Sequence, residues 1–87
     1  MILITYDLKT DHTRIKKALK AKGWKEQIAG ESGVVCNLPN TSLWKDGTDT
    51  VVAREEVQSV VSEPNLERLI CVYFSGWAAI KGQAFAG

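Results

Sequence analysis

The amino-acid sequence predicts an α+β protein of the ferredoxin-like kind, β-α-β-β-α-β, in which a four-stranded antiparallel sheet carries two helices on one face. Three observations point there. Strand-like apolar runs stand near both ends of the chain, two stretches with helical spacing lie between them, and a period-two region broken by Gly and Pro fills the middle.

Residues 1–8 are β-branched and aromatic with no breaker, and the run is too short for a lone helix. Ile2, Ile4 and Tyr6 share one face and Leu3 and Thr5 the other, so the strand is apolar on both sides, as a central strand covered twice should be. Asp11 then caps a helix reaching about Lys22, with Ile15, Ala18 and Leu19 as its apolar stripe and Gly23 in the C′ position. Beyond Trp24 the period changes to two. A strand is expected over residues 33–44, interrupted near Leu38-Pro39-Asn40 because proline cannot donate to a central ladder. Asp46-Gly47, between Ser42-Leu43-Trp44 and Thr50-Val51-Val52, predicts a hairpin. Helical spacing returns over 53–62, with Ala53, Val57, Val60 and Val61 on one face and Pro64-Asn65 as the stop. The last strand covers 68–74 and Gly76 breaks it, which leaves a single domain over 1–76 and a small-residue-rich tail over 77–87.

Two right-handed crossovers place both helices on the same face of the sheet. The first and last strands are nevertheless apolar on both sides, and a second copy of the chain is the simplest cover for the other face. Tyr6, Trp44, Tyr73 and Trp77 are the candidate residues for that homodimer interface. Size agrees: a chain of 87 residues buries only roughly 60 to 65% of its unfolded surface, so a partner helps it.

Composition excludes several classes. Hydrophobic residues make up 45% and charged residues 24%, values of an ordinary globular domain. The formal net charge is +1, so only local clustering bears on nucleic-acid binding. Cys36 and Cys71 lie in apolar strand-like runs and read as free buried thiols. His12 is the one histidine, and without CxxC or HxxxH spacing nothing supplies the usual ligands of zinc. No GxGxxG or GxxxxGK[ST] occurs, so no nucleotide cofactor is expected, and Ser42 has no paired base for nucleophilic catalysis. No run is long enough for a signal h-region or a membrane span, so a cytoplasmic protein without membrane contact is expected.

Three groups of residues carry potential chemistry. Asp7 stands at the end of the first strand, where a symmetric dimer brings two copies together to hold a hard divalent ion such as Mg2+ or Mn2+; it equally serves as an ordinary turn opener. Lys16, Lys17 and Lys20 fall within one helical arc opposite the apolar stripe, with Arg14 flanking them and Lys9 near Asp7. Such a face neutralises phosphates, and it is also what solubility favours. The polar segment from Asn37 through Asn40 to Trp44 offers a base-stacking aromatic or a tight turn leading to a core tryptophan.

Ile4-Thr5-Tyr6-Asp7-Leu8, the short gap, and Arg14-Ile15-Lys16-Lys17-Ala18-Leu19-Lys20 resemble the small CRISPR-associated adaptation proteins of ferredoxin-like fold. They are also similar to the wider superfamily that includes the virulence-associated D toxins and a group of uncharacterised proteins with the same Tyr-Asp-Leu start. The likeness to that last group continues through Leu38-Pro39-Asn40-Thr41-Ser42-Leu43-Trp44 and Arg68-Leu69-Ile70-Cys71-Val72 to Trp77, and so covers most of the chain. The resemblance implies a homodimer in which Asp7 holds a metal between subunits, and an activity of cutting or scaffolding RNA or DNA. The sequence departs from the adaptation proteins at Gly33-Val34-Val35-Cys36-Asn37, which replaces a polar second strand, and it has no clear fifth strand. Two functions follow as expectations. One is a homodimeric nucleic-acid-associated protein that acts as a metal-dependent endonuclease or only binds. The other is a non-catalytic module, a toxin–antitoxin or phage- and defence-related regulator, that binds a protein partner through the sheet edge or Trp44.

Overall fold

The computed structural model describes residues 1–30, 33 and 35–77. Strand β1 (Ile2–Leu8) lies at the centre of a three-stranded antiparallel sheet, between β4 (Ser42–Lys45) and β5 (Leu66–Tyr73). Helix α1 (His12–Ala21) follows β1, and helix α2 (Thr50–Val60) follows β4, with a short 3-10 turn over Glu63–Asn65 before β5. Strands β2 (Gln27–Ala29) and β3 (Val35–Asn37) form a separate antiparallel hairpin. A single antiparallel bridge between Lys25 and Trp44 ties the start of that hairpin to β4.

Alternation on β1 decides where the core sits. Ile2, Ile4, Tyr6 and Leu8 are buried and gather with Ile15 and Leu19 of α1 and Ala53 and Val57 of α2, so both helices pack on the same face. Leu43 of β4, at 0% exposure, faces Ile4 across the ladder and completes that layer. Lys45 closes one end: its ammonium pairs with Glu56 at 3.0 Å, donates to the Lys22 carbonyl at 2.8 Å and lies over the Trp24 ring.

Helix α1 ends in a Schellman turn. The Gly23 N–H donates to the Lys20 carbonyl and the Trp24 N–H to the Leu19 carbonyl, with Gly23 at φ +99°. Trp24 and Leu19 are both buried, which supplies the hydrophobic contact this motif usually carries. At the other end Asp11 is the N-cap residue, in a left-handed conformation, but its carboxylate pairs with Arg14 rather than with the helix backbone.

The middle of the chain departs from the expected order. The predicted strand over 33–44 is two strands, β3 and β4, separated by a turn in which the Ser42 N–H donates to the Pro39 carbonyl. The predicted hairpin at Asp46-Gly47 is not formed. That dipeptide turns the chain, but Thr50-Val51-Val52 begins α2 instead of a strand. The reason is Asp49, whose carboxylate accepts the Val52 N–H at 2.8 Å and so caps the helix. Such a cap contributes about 1 kcal/mol, against a few tenths per residue for the reluctance of Thr and Val to be helical. The helix also buries Ala53 and Val57 completely while Val51 and Val52 stay exposed. Cys36 is buried and Cys71 half-buried. The expected tail, apart from Trp77, lies outside the described residues. No helix among the described residues is long and apolar enough to cross a membrane.

Replacing Asp49 by Ala is expected to lower stability by about 1 kcal/mol, read as a drop in the urea midpoint at unchanged slope. A variant as stable as the parent would be inconsistent with α2 starting at this cap.

Candidate nucleic-acid interface

The helical spacing that buries Ile15 and Leu19 turns Lys17 and Lys20 outward, with Lys16 half-buried beside them. What faces them is set by the end of the helix. The turn at Gly23 sends the chain back along α1, so that Glu26 arrives beneath the lysines. Its Oε1 lies 2.7 Å from Lys20 Nζ and its Oε2 lies 3.3 Å from Lys16 Nζ. Lys16 Nζ also donates to Asn40 Oδ1 at 3.2 Å. The hydrogen bonds from Lys20 and then Lys16 hold the Glu26 carboxyl below its ordinary range. Lys17 has no polar partner among the described residues.

The opposite wall comes from the hairpin and the turn after it. Gln27 Nε2 donates to Asn37 Oδ1 at 2.8 Å, and the Leu38 N–H donates to the Glu26 carbonyl at 2.9 Å, which hold this wall together, while the contacts of Lys16 and Lys20 with Glu26 and Asn40 tie it to α1. The result is a groove of about 390 Å³ whose charged lining is Lys16, Lys17 and Lys20 against Glu26, with His12 at one end. Two segments that the sequence offers separately, the basic face of α1 and the polar stretch from Asn37 to Asn40, are thus the two sides of one groove. Glu26 and Gln27 were not among the expected site residues. Their signal was Gly23, because a helix that ends in a reversing turn brings the following residues back against its own last turns.

Other expected residues lie elsewhere. Arg14 is held by Asp11 at 2.9 Å, and neither Arg14 nor Lys9 lines the groove. Trp44 donates its indole N–H to the Gln27 carbonyl at 2.6 Å, and Lys25 Nζ lies 4.9 Å from its ring centroid, so one face of the ring is already occupied. Tyr6 is 3% exposed and belongs to the core, whereas Tyr73 is 71% exposed. Trp77 lies against Gly30 at the end of β2, close enough that a side chain there would touch its ring.

Asp7 faces Arg68 directly across the β1–β5 ladder, and its Oδ2 accepts from Arg68 Nε at 2.7 Å. Among the described residues no three His, Cys, Asp or Glu side chains come together. A hard divalent cation takes about six oxygen ligands, and one carboxylate already bound to a guanidinium does not fit that demand. Asp7 is on the sheet face away from the helices, not in the α1 groove. On that same outer face Val72 and Trp44 flank Leu3, and Ile70 and Ser42 flank Thr5. Ile70 is 56% and Val72 41% exposed.

Comparison with family models, with curated proteins and with solved structures gives no match.

Burial pushes the Tyr6 phenol from its ordinary value near 10 up to about 12. The folded state therefore holds this proton where the unfolded chain has lost it. Stability is expected to be unaffected by Tyr6 below about pH 10 and to fall as pH rises from there towards 12. Urea midpoints of the parent and Tyr6→Phe across that range check it: the loss of stability is smaller in the variant, and equal loss in both would remove Tyr6 as its source.

Proposed function

We propose that this protein is a ferredoxin-like, homodimeric nucleic-acid-associated protein that holds the phosphate backbone in the α1 groove and binds without cutting. The groove carries the reading. In a chain whose formal net charge is only +1, three lysines are concentrated on one wall of a concave surface whose other wall offers side-chain amides. Cations meet phosphates there, and amides suit sugar and base edges.

The strand order supports the ferredoxin-like part. Sheet order β5-β1-β4 is compatible with a split βαβ arrangement, and the isolated Lys25–Trp44 bridge brings the residues just before β2 beside β4, although β2 and β3 form a separate sheet. It accords with membership of the superfamily that the Tyr-Asp-Leu start resembles. The pairing of Asp7 with Arg68 is what favours binding over cutting, since a metal at Asp7 would have to displace the guanidinium and draw its other ligands from a second chain.

The second copy belongs on the outer face of the sheet. Leu3, Ile70 and Val72 form an apolar strip there, bounded by the Asp7–Arg68 pair at one end, and the helices leave it uncovered. Tyr73 follows Val72 on β5 but pairs with Ile2 and so belongs to the helix-side face, and Trp77 lies against Gly30 at the end of β2, so neither is part of this strip.

The test of binding is titration of labelled single- and double-stranded RNA and DNA with the parent and with a Lys16→Gln, Lys17→Gln, Lys20→Gln variant. The variant is expected to lose at least tenfold in affinity on every sequence and to show a flatter salt dependence. Equal affinity in the two proteins would take the groove out of the function and turn attention to a protein partner. The same reactions run with Mg2+, Mn2+ or chelator should show no cutting; metal-dependent cleavage that Asp7→Asn abolishes would establish the endonuclease instead.

For the dimer, sedimentation at micromolar concentration is expected to give two chains for the parent and one for Val72→Lys. A monomeric parent would contradict the outer-face interface.

A further inference from the structure

From the geometry around Glu26 we infer that its carboxylate occupies the phosphate subsite of the α1 groove, and that a backbone phosphate of the bound nucleic acid takes its place between Lys16 and Lys20. The inference rests on the proposed nucleic-acid function and names the point in the groove at which that function is exercised.

Each carboxylate oxygen of Glu26 meets a different lysine, Oε1 with Lys20 Nζ at 2.7 Å and Oε2 with Lys16 Nζ at 3.3 Å. A phosphodiester likewise presents two non-bridging oxygens sharing one negative charge, so it can satisfy the same two ammonium groups. Asn40 also holds Lys16, with its Oδ1 accepting at 3.2 Å, so the Lys16 ammonium keeps one partner when its carboxylate partner changes. Lys17, on the same helix and without a polar partner among the described residues, is left for the adjoining phosphate.

Displacement is feasible because the shorter of the two pairs is exposed. The side chains of Glu26 and Lys20 are 40% and 46% accessible, and an ion pair open to water to that degree holds weakly; Lys16, at 17%, is the more enclosed cation and its contact with Glu26 is the longer one. Glu26 therefore competes with the ligand rather than barring it. The effect on a bound strand is selective: a lone weak anion does not displace it, whereas a polyanion engaging several cations together does.

The test is Glu26→Gln, which keeps the side-chain length and removes the charge. Its urea midpoint is taken first to establish that it folds. Against labelled single strands of about 20 nucleotides, Glu26→Gln is expected to bind about three- to tenfold more tightly than the parent and to steepen the log–log salt slope by about one. Affinity equal to or weaker than the parent's would overturn the subsite while leaving the groove reading intact, provided the triple lysine variant has lost binding. If the triple variant binds like the parent, both readings fail together. Inorganic phosphate supplies the remaining arm. A Glu26→Gln protein that gains affinity for phosphate but not for the oligonucleotide holds a free phosphate monoester, and the backbone assignment is then wrong.

Discussion

The fold depends on β1 being a central strand whose inward face is wholly apolar. Its backbone pairs with β4 on one side and β5 on the other, and its inward side chains Ile2, Ile4, Tyr6 and Leu8 supply one layer of the core. Both helices rest on that layer through Ile15, Leu19, Ala53 and Val57. Because side chains alternate along a strand, the same backbone that places Ile4 against the helices must place Leu3 and Thr5 on the opposite face. The covered core and the uncovered strip of Leu3, Ile70 and Val72 are therefore two results of one register. Shifting that register by a residue would exchange them, which is why the inward face specifies the outward one.

Much of this frame was legible in the sequence. The period-two pattern of residues 2–8, the stripe of Ile15 and Leu19, and Gly23 as the helix stop each rest on a local rule that the structure obeys. The middle of the chain was less legible for two physical reasons. Strands of three residues, such as Gln27–Ala29 and Val35–Asn37, are shorter than the window in which a period can be recognised. Thr50-Val51-Val52 has the composition of a strand, yet one capping carboxylate and the burial of the next turn outweigh the preference of three β-branched residues.

The candidate site shows the same division between local and non-local information. An arc of Lys16, Lys17 and Lys20 follows from helical geometry alone. The partner of two of them does not, because Glu26 lies beyond the end of the helix and reaches the lysines only through the reversal at Gly23. Three lysines counted from the sequence suggest three free cations; in the structure Lys16 and Lys20 share a carboxylate and only Lys17 stands without a partner among the described residues. Asp7 is the converse case. Its position at a strand end invites a metal, whereas the ladder register sets Arg68 opposite it and supplies a guanidinium in its place.

The two proposed surfaces are compatible in space, and that has a consequence for affinity. The groove is bounded by α1, which packs on the inner face of β1, while the strip of Leu3, Ile70 and Val72 lies on the outer face. A two-fold dimer joined through the outer faces, as proposed, would leave both grooves open. On the proposed reading one groove would engage few phosphates, so a monomer would bind weakly and its hold would be sensitive to salt. Two grooves on one rigid dimer make the second contact intramolecular for any strand long enough to reach both, and the gain vanishes for strands that cannot span them. Dimerisation would then set the length of nucleic acid that is held tightly, while the exchange at Glu26 sets how strongly each groove holds it.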